Sequence, residues 1–169
     1  METETITTID QGRTNTLTNL SGKYLTFTLG SEIYGLEILR VQEIIGVISI
    51  TRVPKSQEHV KGVINLRGKI IPVIDLRLKL GMPEKSYDKK TCFVVVNTEI
   101  SGQETSVGVV VDTVVEVINV QESNLQPPPE FGADIDTSFI LAMSKISEDV
   151  VTLIDIVKAL KEENHELSV

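Results

Sequence analysis

The side chains in this sequence that could carry chemistry are two histidines, one cysteine and a surplus of carboxylates. His59 lies in a polar stretch and His165 close to the end of the sequence, and neither stands at metal-ligand spacing from Cys92. Cys92 begins the apolar run Cys92-Phe93-Val94-Val95-Val96, the setting of a packed, inert thiol rather than a nucleophile. A single cysteine makes no internal disulfide, which suits a reducing compartment. Asp134 with Asp136, and Glu148 with Asp149, are paired in sequence, but acid–base catalysis needs surroundings that separate the two pKa values. Both pairs sit in polar, loop-like stretches that read as solvated surface. No GxGxxG or GxxxxGK[ST] loop is present to cradle a phosphate. The residues make no positive case for an enzyme and call for no cofactor and no metal.

Composition narrows the classes further. The chain has 169 residues with a net charge of −8, and its pI is near 4.8. That balance argues against nucleic acid, whose affinity comes mainly from neutralising phosphates. No stretch approaches the roughly 18 unbroken apolar residues of a membrane span. The first residues have neither the basic nor the apolar region of a signal peptide. A soluble cytoplasmic protein is expected. Hydrophobic residues make up 41% but aromatics only 4%, with no Trp, so its core must be aliphatic.

One charged residue stands out by position. Gly62 to Gly81 reads GVINLRGKIIPVIDLRLKLG, with two β-branched strands, Gly62–Leu66 and Lys69–Leu76, meeting at Arg67-Gly68. Gly68 supplies a positive φ at the corner. Arg67 and Asn65 should project at the rim.

The elements that hold this corner are legible in order. Residues 1–20 read as a disordered tail and 164–169 as a frayed terminus, with one domain over 21–163 between them. Tyr24–Leu29 and Ile33–Ile38 read as a hairpin. Val41, Ile44 and Ile45 have helical spacing, predicting a short helix or bend before a strand at Gly46–Thr51. Ser56 to Lys61 reads as one helical turn with Ser56 as N-cap. Asp75 should cap a short helix over Leu76–Leu80 that stops at Gly81. After a polar connector, Thr91–Asn97 and Ser106–Asp112 predict a second hairpin, and Thr113–Val117 mirrors the earlier bend. Pro127-Pro128-Pro129 must be extended, Phe139 to Met143 should pack back onto the core, and Val150–Ile154 is a last strand. Asp155 then starts a helix with Ile156, Val157 and Leu160 inward.

The chain repeats itself. A shift of 73 places Tyr34-Gly35 on Val107-Gly108, Val41 on Val114, Glu43 on Glu116, Ile44 on Val117 and Pro54 on Pro127. A shift of 80 places Ile70–Asp75 on Val150–Asp155. The matches at Gly, Glu, Pro and Asp are the informative ones. They predict a duplicated β unit of about five strands, suited to a small SH3-like barrel in which closure removes sticky edges. At the corner held by Arg67, the second copy reads Lys145-Ile146-Ser147-Glu148, with no basic residue at the turn itself. The apolar pairs Val41/Val114 and Ile44/Val117 belong either to the core or to a groove that accepts a partner helix.

NLRG followed by IPVIDLR, with VQEI before it and VGVVVDTVVEV after it, resembles the CheW family of bacterial chemotaxis coupling proteins from about Ser21 to Glu163. The resemblance implies a mainly β fold of two SH3-like five-stranded barrels with short helices. It implies a noncatalytic adaptor that joins the cytoplasmic tips of methyl-accepting chemoreceptors to the histidine kinase CheA, whose regulatory domain has the same fold. It further implies that Arg67 is functional and that Val41, Glu43, Val114 and Val117 are receptor contacts. The kinase-binding residues stay unassigned. The protein is then expected to be monomeric alone, to alternate with kinase domains in rings, and to reach the membrane only through its partners. No receiver domain is expected beyond Val169, unlike in a two-domain relative of the family. A similar scaffold in another signalling pathway and a small-molecule-binding β-barrel are the alternatives.

Overall fold

The computed structural model describes residues 17, 19–130, 132 and 136–161. The first hairpin pairs β1 (Gly22–Leu29) with β2 (Glu32–Glu37), and a 3-10 turn at Ile38–Arg40 leads into β3 (Val41–Gly46). The second pairs β4 (Val60–Leu66) with β5 (Lys69–Asp75) and ends in helix α1 (Leu76–Lys79). The third joins β6 (Cys92–Ile100) to β7 (Gln103–Val111), after which β8 (Thr113–Val120) and the short β9 (Leu125–Gln126) follow. The last pairs β10 (Ile140–Ile146) with β11 (Asp149–Ile154) and ends in helix α2 (Ile156–Ala159).

These strands form two sheets, ordered β8-β1-β2-β11-β10-β9 and β3-β6-β7-β5-β4. The strand counts are six and five, where two units of five were expected. The orders match strand for strand under the duplication, apart from β9. Each sheet takes its central hairpin from one repeat and its remaining strands from the other. The repeats therefore interlock, and no sheet corresponds to one half of the sequence. The parallel pairs at the junctions keep the same register: Gly35 of β2 faces Leu153 of β11, and Gly108 of β7 faces Val73 of β5. A Cβ on Gly35 would lie 2.6 Å from a Leu153 methyl, far inside contact distance. The close approach explains Gly35, whereas a Cβ on Gly108 would meet a Val73 methyl at an ordinary 3.6 Å.

Three expected elements change identity. Val41 to Gly46 is an edge strand, and burial alternates along it with period two. A β-bulge between Val41 and Glu43 puts Val41 on the same side as Ile44, opposite Glu43 and Ile45, so the helical spacing was a coincidence of β-branched residues. Thr113–Val117 is likewise strand, not bend. Beyond Gly46 the expected strand reduces to one bridge, Thr51 to Val63, and the helical turn expected from Ser56 is absent. Ser56 Oγ instead donates to the Val53 carbonyl at 2.8 Å, closing a turn. The two predicted caps are present: Asp75 and Asp155 accept from the amides of Leu78 and Lys158.

Three aliphatic clusters hold the sheets. A central one between them gathers Leu25, Phe27, Val94, Val96, Leu76 and Ile156. A second lies against the six-stranded sheet (Tyr24, Val120, Ala142, Val151, Leu153) and a third against the five-stranded one (Ile64, Ile71, Val73, Phe93, Val95). The run Phe93–Val96 is buried on both faces because alternate residues serve different clusters.

Leu17 and Leu20 pack on the second cluster, and the Tyr24 hydroxyl donates to the Leu20 carbonyl at 2.7 Å. Residues 1–16 of the expected tail, and the expected frayed end at 164–169, lie outside the described residues. Burial, with Glu37 nearby, pushes the Tyr24 phenol up to about 12 from its ordinary 10.0. A raised folded pKa contributes stability that is fully present below pH 10 and lost as pH rises towards 12. Urea unfolding across this window should show a shallower loss for Tyr24→Phe than for the native chain.

Candidate functional site

The Arg67 corner is a two-residue turn with both residues at positive φ, Arg67 at 53° and Gly68 at 88°. That geometry matches the twist of the flanking strands. Asn65, expected to project, turns back so that Oδ1 accepts the Gly68 amide at 2.8 Å. In the second copy Ser147 sits at φ 55°. Both corners thus impose a left-handed residue at this place, and serine meets the demand as arginine does. Nothing in the turn requires a guanidinium.

Arg67 is 69% exposed at its side chain and forms an ion pair with Glu43, itself 29% exposed. Glu43 belongs to β3, one edge of the five-stranded sheet, whereas the corner hangs from β4 and β5 at the other edge. The sheet must curl to bring them together. The Thr51–Val63 bridge acts in the same sense, since the chain leaving β3 reaches β4, with both amide-to-carbonyl bonds at 2.8 Å. An exposed pair of this kind contributes at most about 1 kcal/mol. Among the described residues, Glu116, the equivalent of Glu43, forms no ion pair with an arginine.

The apolar pairs divide between the two readings. Val41 and Val114 are half-buried against the central cluster. Ile44 and Val117 are exposed, at 42% and 49%. Each pair keeps the same status in both copies, which the duplicated topology requires. Of the five expected contact residues, the structure joins Glu43 with Arg67 directly and places Val41 two residues before Glu43 on β3. Val114 and Val117 lie on β8, the matching edge of the other sheet.

Among the exposed apolar residues that sequence reasoning missed are Ile70, Val150 and Leu39. Ile70 and Val150 are equivalent under the repeat and are 61% and 55% exposed, while their neighbours Ile71 and Val151 are buried. The signal was there: two adjacent apolar residues in a strand point to opposite faces. Leu39, in the turn before Val41, is 86% exposed, and nothing in its sequence context marks it.

The other depressions are open and mixed in character. Two of about 470 and 450 Å³ share Arg52, Lys61 and Glu84, and neither has the convergent apolar lining of a small-molecule site. Among the described residues no cluster of His, Cys, Asp and Glu could hold a metal ion. None of the described helices is long and apolar enough to cross a membrane.

The CheW-like domain family matches residues 23–164. The chain belongs to the CheW family. It is 40% identical over 153 residues to a chemotaxis protein CheW from Klebsiella aerogenes, covering 88% of this chain and 90% of that one. It is 32% identical to a chemotaxis protein CheW from Helicobacter pylori, covering 83% and 82%. The crystal structure of the scaffolding protein TtCheW from Thermoanaerobacter tengcongensis superposes with a TM-score of 0.73 at 35% identity, covering 85% of this chain and 90% of that one. Membership settles the class: the chain is a noncatalytic chemotaxis adaptor that couples chemoreceptors to the kinase CheA.

Proposed function

We propose that the CheW-family role is exerted here through two surfaces related by the duplication. On the five-stranded sheet the surface comprises Val41, Glu43, Ile44, Arg67 and Ile70. Its counterpart on the six-stranded sheet comprises Val114, Val117 and Val150. Val41, Glu43, Arg67, Val114 and Val117 contact the cytoplasmic tip of a receptor. CheA engages the protein through its regulatory domain, whose residues of contact on this chain stay unassigned. Each sheet closes as a small barrel, with β3 and β8 leading round to the opposite edge. The protein works in the cytoplasm, bound to receptor arrays through its partners, and takes no nucleic acid.

The observation that carries this reading is the arginine itself. It is exposed, adds little to stability, and sits at a corner whose backbone serine satisfies equally well. A charge retained at one of two equivalent corners fits a contact made by one surface only. The exposed apolar residues fall on both sheets, and heterologous contacts between unlike faces close into rings when the rotation permits. The protein should therefore sediment as a monomer alone and form rings with kinase domains. Charge substitutions on one surface should spare binary kinase binding and remove only higher assembly, while those on the other remove both. If every substitution changed both measurements equally, a single interface would suffice.

A paired substitution tests the receptor contacts. Val117→Lys should weaken binding of a receptor-tip fragment while circular dichroism stays native, because Val117 is already exposed. Val114→Lys should in addition cost about 2 kcal/mol, since its amine must escape a half-buried site. Equal loss of structure in both variants would return the pair to the core.

A further inference from the structure

Charge is unevenly placed along this chain. Residues 52–90 hold 10 of its 16 Lys and Arg but 4 of its 24 Asp and Glu, a net +6 within a total of −8, which leaves −14 elsewhere. The fold gathers part of that excess. Two adjoining depressions of about 470 and 450 Å³ share Arg52, Lys61 and Glu84, with Lys85 lining the first and Lys55 and Glu58 the second. Arg52, Lys55 and Lys85 are exposed, whereas the Lys61 side chain is only 18% exposed. Its amine donates to Glu84 Oε2 at 2.5 Å. Glu84 is 59% exposed at its side chain and sits on a part of the connector between α1 and β6 that is neither helix nor strand. The Lys61 hydrogen bond and charge, with Arg52 beyond them, hold the Glu84 carboxyl below its ordinary value. Lys85 turns to Asp88 at 3.2 Å, and among the described residues Arg52 and Lys55 form no ion pair.

The fold does not require a cation at Lys61. The registers of β4 on β5 and of β10 on β11 make Leu141 its equivalent, and Leu141 packs on the second cluster. We propose that Arg52, Lys55, Lys61 and Lys85 form a docking trough for a short acidic segment of a partner protein, with Glu84 as a resident counter-charge that an incoming carboxylate replaces. The charge left over selects the partner class. A membrane surface or a nucleic acid would also meet the acidic remainder of the chain, whereas a short segment is steered to the one basic region. Two adjoining depressions hold several residues rather than one small anion, and Ile50 and Tyr87 line the first with apolar surface for a peptide's methylenes. The trough is separate from the Arg67 corner. Lys61 lies six residues before it along β4, roughly 20 Å at about 3.3 Å per residue.

Fluorescence anisotropy of a dye-labelled octaglutamate peptide titrated with the full chain tests the trough. No receptor or kinase is present, so the outcome is independent of those assignments. The native chain should bind saturably, with an affinity that falls as salt rises. Lys61→Leu, which installs the second copy's own residue, should weaken binding about tenfold while circular dichroism stays native. Should it not fold, Arg52→Gln, at an exposed position, should weaken binding about threefold. Glu84→Gln should strengthen binding about threefold, because the resident counter-charge is gone. A pair that served only stability would not give that gain. Lys145→Met and Glu148→Gln, the matching changes on the other sheet, should leave binding unchanged. Unaltered affinity in Lys61→Leu or Glu84→Gln, or equal changes in the two controls, would overturn the proposal. So would displacement of the peptide by inorganic phosphate as effectively as by unlabelled peptide, or tighter binding of the chain to phosphatidylserine vesicles.

Discussion

Arg67→Glu should abolish receptor control of the kinase in a reconstituted assay while costing no more than about 1 kcal/mol of stability. The small cost follows from exposure. The ion pair with Glu43 is screened by water, and the turn keeps its backbone, its glycine and the Asn65 hydrogen bond. The large functional effect follows from sign. Glutamate at 67 repels Glu43 and turns a cationic projection into an anionic one, so a partner carboxylate that met the guanidinium is rejected. Arg67→Ala should show a weaker form of the same defect. A loss of several kcal/mol in either variant would make Arg67 a structural residue and remove the argument from the second copy's serine.

Asp112→Ala should act in the reverse way, with a large thermodynamic cost and no direct effect on any contact surface. The substitution leaves the Arg77 guanidinium without its counter-charge in a site only 14% exposed. It also deprives the Gly30 amide of its acceptor. Breaking a buried pair from one side typically costs about 3–5 kcal/mol, and the residual exposure here points to the lower end. Urea denaturation at neutral pH measures this directly. Replacing both partners by Arg77→Met with Asp112→Leu should recover much of the loss, because no charge is then left uncompensated. A single Asp112→Ala variant as stable as the native chain would mean that water already screens the pair.

How much of this was legible depended on which physical signal each element carried. Three of the four hairpins announced themselves through β-branched runs around glycine corners, and the caps at Asp75 and Asp155 through their place before apolar helical turns; the β10–β11 hairpin, turning at Ser147-Glu148 without a glycine, was expected only in its second strand. The duplication was readable at Gly35/Gly108, where a close strand approach excludes a side chain in the first copy, and at Glu43/Glu116. Interlocking of the repeats was not readable, because parallel pairing of β2 with β11 and of β7 with β5 leaves no local mark. The short helix or bend expected at Val41 failed for a related reason. In a run of β-branched residues, helical and strand spacings overlap, and the edge position that decides between them is a tertiary fact. At the site, the identity of Arg67 was visible but its partner Glu43 was not: the contact exists only because the curled sheet brings its two edges together. The Arg77–Asp112 pair, 35 residues apart, was hidden in the same way.

One chain is expected to bridge two partners through separable surfaces. Co-sedimentation of purified CheA with vesicles carrying a receptor tests it most directly, with the native chain, with Val117→Lys, and with no chain added. The kinase should sediment only when the native chain is present, and Val117→Lys should fail to recruit it while still binding the isolated regulatory domain. Recruitment of the kinase without the chain, or loss of both interactions together in Val117→Lys, would contradict it.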